Sequence, residues 1–295
     1  MTKLGFIGLG IMGGPMAGHL VAAGHEVSGF DTNADALARL EAAGGRAANG
    51  VTDAVAGAEV VITMLPNHPQ VEAVVLAAGG VLESAKPGTL LIDMSTIRPE
   101  TSIEVAERAA EREIRVLDAP VSGGQAGAEQ ASLSIMAGGD ETDFAAALPI
   151  LEAVGKTIVH VGPHGAGQVV KAANQLVVGG TYALIAEAIV LLEASGVDAG
   201  VGLDVLAGGL AGSRILELKR KSMVARDFAP GFRIDLHHKD MGIALAAARQ
   251  ADVALPITGL VAQLVAAGRA MGHGSLDHSA LLKVVETLSG AESKE

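Results

Sequence analysis

Cysteine and tryptophan are absent from this chain of 295 residues, which also has only one tyrosine and five phenylalanines. The lack of cysteine excludes disulfides, thiolate metal sites and a cysteine nucleophile. Aromatic residues make up 2% of the chain and hydrophobic residues 49%. The core therefore has to be built mainly from alanine, valine, leucine and isoleucine.

Basic residues are also scarce: 21 lysines and arginines stand against 33 aspartates and glutamates, a net charge of −12. The longest basic run is Lys219-Arg220-Lys221, so the chain has no pattern typical of a polyanion-binding surface. We expect no nucleic-acid partner.

Long uninterrupted hydrophobic runs are missing as well. No apolar run reaches the roughly 18 residues of a membrane span without a glycine, a proline or a charge. The apolar N-terminus has glycines in a nucleotide-binding spacing, unlike a signal peptide. We expect a cytoplasmic protein that does not bind membranes.

The first 160 residues alternate short apolar runs, typical of strands, with amphipathic stretches, typical of helices. This alternation predicts an α/β fold with a Rossmann-type, doubly wound and mostly parallel sheet. After Gly162 the pattern is helical, with breaks at Ala207–Ser213 and Ala229–Gly231, which predicts an all-helical C-terminal domain. We place the domains at residues 1–162 and 163–295, with one long helix from about Ala166 to Ser195. The predicted strands are Lys3–Ile7, Glu26–Phe30, Glu59–Met64, Thr89–Met94, Arg115–Asp118, Leu133–Ala137 and Thr157–Val161.

The first predicted strand leads directly into Gly8-Leu9-Gly10-Ile11-Met12-Gly13, a GxGxxG string that opens a helix. Glycines in this spacing allow a tight turn and let a pyrophosphate approach the helix N-terminus. Asp31 ends the second strand, where a carboxylate can bind both ribose hydroxyls of an adenosine and would repel a 2′-phosphate. The adjacent Thr32 supplies no guanidinium for such a phosphate. We predict a dinucleotide site, with NAD preferred and NADP possible.

Two later strand ends belong to the same edge of the predicted sheet, where ligands of such folds bind. One contains Leu65 and Pro66 and the other contains Thr96, and we place all three residues beside the nicotinamide ribose. Each segment taken alone is equally consistent with an ordinary turn.

The fifth strand ends in Asp118-Ala119-Pro120-Val121-Ser122-Gly123-Gly124. A serine followed by two glycines can present a hydroxyl and adjacent N–H groups to a small anion. A glycine-rich loop without a ligand is the alternative interpretation of this segment.

Lys171 is the only charged residue from Gly165 to Ala186. Burial of a single ammonium is costly, so such a lysine is paired, extends its head to solvent, or loses its charge. Asn174 and Gln175 follow three and four residues later and lie on the lysine's side of the helix.

These motifs, together with Lys239-Asp240, resemble the β-hydroxyacid dehydrogenase family over essentially the whole chain. The resemblance implies an NAD(P)-dependent oxidoreductase that acts on CH–OH groups, with an NAD(P)-binding first domain and a second domain for substrate and dimerisation. It assigns Ser122, Gly123 and Gly124 to the substrate carboxylate and Lys171 to proton transfer. Asn174 would hold the substrate, and Lys239 would lie by the cofactor or substrate. Gln175 departs from the asparagine found in many relatives, so it receives no role.

Within this family, three segments look most like the tartronate semialdehyde reductases: Gly208–Ser213, Phe228–His237 and Asp277–Ser279. The expected reaction is the NAD(P)H-dependent reduction of tartronate semialdehyde (2-hydroxy-3-oxopropanoate) to D-glycerate. The alternatives are 3-hydroxyisobutyrate dehydrogenase or another short β-hydroxyacid dehydrogenase, and a non-catalytic dinucleotide-binding protein. An imine reductase, a third alternative, typically lacks the lysine.

Two further expectations concern metals and assembly. His237 and His238 adjoin Lys239, but no second cluster with metal-ligand spacing accompanies them, so we expect no metal site. The long apolar helix after Lys171 is more hydrophobic than one small domain needs, which predicts a homodimer or homotetramer.

Overall fold

The structure is a computed structural model that describes residues 1–290; the last five residues of the predicted second domain lie outside the described residues. The chain forms two compact units, one from Met1 to Lys171 and one that begins at Ala172. The boundary between the units falls inside the helix that begins at Ala166, because its first turn is bonded to the sheet of the first unit.

The first unit contains one nine-stranded sheet with strand order β3-β2-β1-β4-β5-β6-β8-β7, in which β9 also pairs with β8. The strands from β1 to β6 pair in parallel, as predicted, whereas β8 runs antiparallel to β6 and β7. The α/β class and the Rossmann-type arrangement are confirmed. The strands are β1 Lys3–Ile7, β2 Glu26–Phe30, β3 Arg46–Ala47, β4 Val60–Thr63, β5 Leu90–Asp93, β6 Arg115–Asp118, β7 Val121–Ser122, β8 Leu133–Gly139 and β9 Gly155–Gly162.

Helices cover both faces of this sheet, and each face has its own apolar core. One core contains Leu4, Phe6 and Met16, and the other contains Ile7, Val61 and Leu91, so successive residues of β1 point to opposite faces. The helices of this unit are α1 Gly13–Ala22, α2 Ala34–Ala42, α3 Val51–Val55, α4 His68–Val75, α5 Val81–Ser84, α6 Pro99–Ala110, α7 Gly124–Glu129 and α8 Glu141–Leu151.

Strands β6 and β7 follow one continuous register against β8. Leu117 pairs with Gly139 and Val121 with Ile135, and the amide of Met136 donates to the carbonyl of Pro120 between them. Pro120 has no N–H to return to the ladder, which interrupts the strand at this point. The two-residue strands β3 and β7 were not predicted, because such short segments have no periodicity to detect.

The second unit is helical over its described residues, apart from an isolated bridge between Arg233 and Asp277. The glycine-rich and proline-containing breaks predicted near residues 207–213 and 229–231 separate its helices, as expected. Helix α9 begins in the first unit and continues into this one. The helices are α9 Ala166–Ala194, α10 Ala199–Ala207, α11 Arg214–Val224, α12 Ile234–Gln250, α13 Pro256–Ala270 and α14 Leu281–Leu288, with a 3₁₀ turn at His278–Ala280.

Helix α9 is long and apolar enough, by length and composition, to cross a membrane, and its mean hydropathy reaches 1.8. The core helix of a soluble protein can have the same composition. Tyr182, Ala186 and Ile189 lie in the apolar core of the second unit together with Leu203 and Val265. Packing within the unit therefore accounts for one face of α9.

Candidate active site

The turn after β1 leaves no room for side chains at two of its glycines. Gly8 has φ +96°, and a Cβ placed there would lie 2.3 Å from the carbonyl oxygen of Met64. A Cβ on Gly13 would lie 1.9 Å from the carbonyl oxygen of Gly8. Around Gly10, by contrast, a Cβ would meet no heavy atom within 4 Å. The protein thus leaves no space for a side chain at Gly8 or Gly13, whereas the space beside Gly10 is open. Such open space is needed where a ligand approaches the backbone.

Asp31 is held at the end of β2 by two backbone N–H groups. Its Oδ2 accepts from the amide of Leu9 at 2.7 Å, and its Oδ1 accepts from the amide of Asn33 at 2.8 Å. A carboxylate has about four acceptor positions, so both oxygens retain capacity for ligand hydroxyls. The predicted ribose-binding residue is therefore fixed beside the glycine turn.

A cavity of about 630 Å³ opens beside Gly10 and Asp31. This volume lies in the range of small-molecule sites. Ile11 contributes to its wall from the glycine turn and is 57% exposed. Arg39, in the last turn of α2, also lines the cavity. Its guanidinium could pair with a 2′-phosphate and was not predicted, because Arg39 does not adjoin Asp31 in the sequence as Thr32 does.

The ends of β4 and β5 are joined by a serine. The hydroxyl oxygen of Ser95 accepts from the amide of Leu65 at 2.8 Å, which fixes the two strand ends against each other. Leu65 and Thr96 are half-buried and Pro66 is exposed. These three predicted cofactor residues follow adjacent parallel strands, at the same edge of the sheet as the glycine turn.

The serine-glycine-glycine loop has a backbone that requires glycine. Gly123 and Gly124 have φ +139° and +60°, conformations that L side chains rarely adopt. Ser122 is half-buried on β7, opposite Ser134 of β8, and α7 begins at Gly124. A hydroxyl and two adjacent glycine amides therefore occupy one short segment beyond the end of β6.

The carboxylate of Asp118 binds the start of the lysine helix. Its Oδ1 accepts from the amide of Gly165 at 2.8 Å, and its Oδ2 accepts from the amide of Gln168 at 3.0 Å. A carboxylate satisfies unpaired N–H groups of a helix N-terminus and is favoured by the helix dipole. The end of β6 is thereby bonded to the first turn of α9.

Gln168 bonds the same turn to the segment after β5. Its Nε2 donates to the carbonyl of Ser95 at 2.9 Å, and its Oε1 accepts from the amide of Ile97 at 3.1 Å. Next to it, a Cβ on Gly167 would lie 2.3 Å from the carbonyl oxygen of Met136. Close backbone contact and two polar side chains thus fix the first turn of α9 on the sheet.

Lys171 lies one turn after Gln168 on α9 and is 6% exposed. A lysine so deeply buried does not extend its head into bulk water, which was the alternative interpretation of the sequence. Its helix is positioned by residues at the ends of β5 and β6, the strands that also carry Thr96 and Asp118.

The remaining predicted residues lie in the second unit. Asn174 follows Lys171 by three residues on α9 and donates through Nδ2 to Oε1 of Gln175 at 2.8 Å. Gln175 donates in turn through Nε2 to Oδ2 of Asp240 at 2.5 Å. Lys239 forms an ion pair with Oδ1 of Asp240 at 3.0 Å. Asn174 and Lys239 therefore belong to one polar network in this unit.

The histidines near Lys239 have packing partners. His237 is fully buried, with Nδ1 lying 3.0 Å from Nδ1 of His278, whereas His238 is half-buried and contacts Arg269. Among residues 1–290, no group of three or more His, Cys, Asp or Glu side chains is arranged to hold a metal ion.

Comparison with known proteins decides the family. The family described as the NAD binding domain of 6-phosphogluconate dehydrogenase matches residues 3–162, and that described as NAD-binding of NADP-dependent 3-hydroxyisobutyrate dehydrogenase matches residues 165–285. The 2-hydroxy-3-oxopropionate reductase of Escherichia coli (strain K12) is 41% identical over 97% of this chain and 98% of its own. The chain belongs to the β-hydroxyacid dehydrogenase family.

Two other relatives of this β-hydroxyacid dehydrogenase have different names. The 2-(hydroxymethyl)glutarate dehydrogenase of Eubacterium barkeri is 42% identical over 98% of this chain and 96% of its own. A solved structure of Mycobacterium tuberculosis 3-hydroxyisobutyrate dehydrogenase with L-serine has a TM-score of 0.87 and 38% identity, and the match covers 97% of this chain and 99% of that one. The enzyme is thus an NAD(P)-dependent oxidoreductase that acts on CH–OH groups, and its relatives differ in substrate.

Four polar residues of this dehydrogenase had no predicted role in the site: Asp118, Gln168, Gln175 and Asp240. Asp118 accepts from backbone amides at the start of α9, and Gln168 bonds α9 to the segment after β5. Gln175 and Asp240 bond to each other although they are 65 residues apart in sequence. Asp118 could have been suspected from its place at a strand end before a glycine-rich loop. The partners of Gln168 and Asp240 depend on tertiary packing, which the sequence does not display.

The pH dependence of stability tests the role of Asp118. Burial raises the pKa of this carboxyl to about 6 from an ordinary value of 3.8, against the opposing effect of the Gly165 and Gln168 amides. The folded state thus holds the proton more tightly than the unfolded state, and this stabilisation is lost as the pH rises from about 4 through 6. We expect the difference in unfolding free energy between wild type and Asp118→Asn to shrink over that range, by on the order of 3 kcal/mol or less.

Urea titrations at several pH values between about 4 and 7.5 measure this difference. Gln168→Leu is the matched control, because it removes a neighbouring bond to the same helix without removing a titratable group. Its difference from wild type should therefore change little with pH. A difference for Asp118→Asn that stays constant or widens as the pH rises would contradict the assignment.

Proposed function

We propose that this dehydrogenase reduces tartronate semialdehyde to D-glycerate, with Lys171 as the general acid and NADH as the preferred cofactor. The observation that carries the proposal is the position of Lys171. It is a buried lysine on a helix whose first turn is bonded to the ends of β5 and β6, in the unit that also contains the glycine turn and Asp31.

Each group in the proposed mechanism has one task. Ser122 and the amides of Gly123 and Gly124 bind the substrate carboxylate. Lys171 donates a proton to the carbonyl oxygen as negative charge develops there, and in the oxidative direction it removes the proton from the hydroxyl. Asn174, one helical turn further on, holds the substrate by hydrogen bonds. A bound nicotinamide dinucleotide supplies the hydride for reduction and accepts it in oxidation.

The residues around the first strand end fit such a dinucleotide. The space left open at Gly10 lies beside a fixed carboxylate at Asp31 and a cavity of suitable size. The turn that would hold the pyrophosphate also contains Gly8, Leu9, Ile11, Met12 and Gly13. The nicotinamide half would lie along Leu65, Pro66 and Thr96, and the family resemblance assigns Lys239 to the cofactor or substrate.

The substrates in the names of the relatives share one chemical pattern. 2-(Hydroxymethyl)glutarate, 3-hydroxyisobutyrate and L-serine all contain HOCH₂–CHR–COO⁻ and differ only in R, and 2-hydroxy-3-oxopropionate is the corresponding aldehyde with R = OH. The carboxylate and the primary hydroxyl therefore define the class, while R distinguishes its members. Three segments resemble the tartronate semialdehyde reductases, and this similarity supports R = OH. They are Gly208–Ser213, Phe228–His237 and Asp277–Ser279. A methyl group, as in 3-hydroxyisobutyrate, is the second candidate.

Replacement of Lys171 tests the catalytic proposal. Lys171→Ala should lower kcat by at least about 100-fold, as expected for lost general acid–base catalysis. The affinity for NADH should change little, because the lysine acts on the substrate oxygen. Lys156→Ala, which removes an exposed lysine of β9, is the matched control and should keep wild-type kcat. Near-normal turnover by Lys171→Ala would refute the assignment.

Steady-state kinetics with two aldehydes and two cofactors test substrate and cofactor together. We expect kcat/KM to be highest for tartronate semialdehyde with NADH and lower for methylmalonate semialdehyde or NADPH. Asp31→Ser removes the charge that repels a 2′-phosphate and keeps Arg39, so it should shift the preference towards NADPH. A higher kcat/KM for methylmalonate semialdehyde would favour the second candidate. Absence of turnover with any β-aldehydo acid would favour a non-catalytic binding protein.

We further propose a homodimer or homotetramer in the cytoplasm. Val177, Leu184 and Leu191 recur every seven residues along α9 and are 60–68% exposed. Residues in this spacing lie on one face of a helix, and a continuous apolar face favours association with another helix. A second copy of the same face would cover it symmetrically.

Light scattering after size-exclusion chromatography tests the assembly. Wild-type protein should elute as a dimer or tetramer, and Leu184→Glu should shift it towards the monomer, because a charge would be buried in the interface. Val253→Glu, at an exposed apolar position outside α9, is the control and should leave the mass unchanged. A monomeric wild-type protein would refute the proposal.

A further inference from the structure

Gln168 of α9 pairs with the backbone on both sides of one predicted cofactor residue. Its Nε2 donates to the carbonyl of Ser95 at 2.9 Å, and its Oε1 accepts from the amide of Ile97 at 3.1 Å. These two backbone groups flank Thr96, which follows the end of β5. One carboxamide therefore fixes the main chain on either side of Thr96, in the way that a neighbouring strand would.

The orientation of this carboxamide is determined by its partners. A backbone carbonyl only accepts and a backbone N–H only donates, so the NH₂ group must face Ser95 and the oxygen must face Ile97. Gln168 is 1% exposed, and the two residues that it binds are buried to the same degree. Water does not reach these groups, so a side chain that lacks the carboxamide forfeits both bonds.

Ser95 is itself held from two further directions. Its hydroxyl oxygen accepts from the amide of Leu65, after β4, at 2.8 Å, and its own amide donates to Oδ1 of Asp93 at 3.2 Å. The same oxygen of Asp93 accepts from the hydroxyl of Thr63 at 2.7 Å. The carbonyl to which Gln168 donates therefore belongs to a fixed point where the ends of β4 and β5 meet.

The backbone of Gln168 is held as well as its side chain. Its amide donates to Oδ2 of Asp118 at 3.0 Å. A Cβ on the preceding Gly167 would lie 2.6 Å from the carbonyl oxygen of Asp118, so α9 begins in close contact with the end of β6. Lys171 follows Gln168 by three residues on α9, which places both residues on the same side of the helix. A displacement of Gln168 therefore displaces Lys171.

We infer that Gln168 is a positioning residue for the proposed reaction. It sets the spacing between Thr96, placed beside the nicotinamide, and Lys171, the proposed proton donor. The hydride and the proton must reach the carbon and the oxygen of one carbonyl group, which are about 1.2 Å apart, so the tolerance for this spacing is narrow. This inference rests on the proposed function, in which Thr96 contacts the cofactor and Lys171 the substrate.

Gln168→Met tests this role, because methionine is unbranched and of similar length but makes neither bond. We expect kcat to fall about 10-fold to 100-fold, as for a misplacement of reacting groups by about 1 Å. The KM for the aldehyde and the Kd for NADH should stay within about 3-fold of wild type, because the lost alignment matters in the transition state. Gln263→Met, at an exposed position of α13, is the matched control and should keep the wild-type kcat.

A deuterium isotope effect shows which step is slowed. The cofactor for this measurement is NADH deuterated at the transferred position. The isotope effect on kcat of Gln168→Met should be at least as large as that of wild type, because slower hydride transfer becomes a larger part of the turnover time. A lower kcat with a smaller isotope effect would place the loss in another step, such as product release, and would overturn the inference.

A double-mutant cycle with Lys171→Ala tests whether Gln168 acts through the lysine. In the Lys171→Ala background, Gln168→Met should lower kcat by less than about 2-fold further, because no proton donor remains to be positioned. A loss by the same factor in both backgrounds would show that Gln168 acts independently of Lys171, and the inference would be refuted.

Unfolding in urea separates positioning from a merely structural role. A folded Gln168→Met enzyme with wild-type kcat would show that the carboxamide only stabilises the fold, which contradicts the inference. If this variant does not fold, Gln168→Asn replaces it. Asparagine is one methylene shorter, so its amide either falls short of a partner or draws α9 towards the segment after β5. The kcat should fall in both cases, and a wild-type kcat would again contradict the inference.

The outcomes also distinguish this inference from the proposed function. If Lys171→Ala loses activity and Gln168→Met does not, the proposed function stands and the positioning role fails. If Lys171→Ala keeps wild-type kcat with the β-aldehydo acid that the enzyme turns over best, the proposed function itself fails, whatever Gln168→Met shows.

Discussion

The interaction between Asp118 and the first turn of α9 connects the sheet to the residue proposed to carry the chemistry. A single carboxylate at the end of β6 accepts from two backbone amides of the helix start, and Gln168 adds two bonds to the segment after β5. Without these bonds, the buried N–H groups at the start of α9 would lack acceptors. The position of Lys171 relative to the strand ends therefore depends on them.

This arrangement brings the helix that carries Lys171 to the edge of the sheet where the predicted cofactor residues lie. The glycine turn, Asp31, Leu65 and Thr96 follow parallel strands, where ligands of this fold bind outside the carboxyl ends. Lys171 lies on a helix that begins in this unit, and not on a loop. A catalytic group on a packed helix has fewer conformations to lose when the substrate binds, which favours catalysis.

The second unit holds buried polar side chains in place by its own packing. The buried side chains of Gln175 and Asp240 form a hydrogen bond there, and Lys239 forms an ion pair with Asp240. The names of two relatives contain compounds of the pattern HOCH₂–CHR–COO⁻, and a third contains the aldehyde form of such a compound. In the proposed function, the carboxylate and the hydroxyl are the groups that these substrates share, and contacts to R distinguish among them.

Much of this could be predicted from the sequence, and the exceptions have physical reasons. The glycine turn, Asp31 and the long helix with Lys171 rest on local periodicity and spacing, and the predicted strands lie within a few residues of the observed ones. Strand β8 was predicted but its antiparallel direction was not, and the short β7 was not predicted, because strand direction and pairing depend on tertiary contacts. The place of Arg39 in the cavity wall and the bond of Asp240 to Gln175 were not predicted either, because both arise only in the folded chain. The identity of the substrate depends on the shape of the site around the group R, and no local sequence pattern indicates that shape.

A crystal structure of the enzyme with NAD(H) and its β-hydroxyacid would test the central claim most directly. The account predicts that Lys171 Nζ lies within about 3.2 Å of the substrate's primary hydroxyl oxygen, the distance of a proton-transfer contact. It also predicts that the carboxylate is bound by Ser122 and the amides of Gly123 and Gly124. A complex in which Lys171 lies several ångströms from that oxygen while another titratable side chain contacts it would contradict the account.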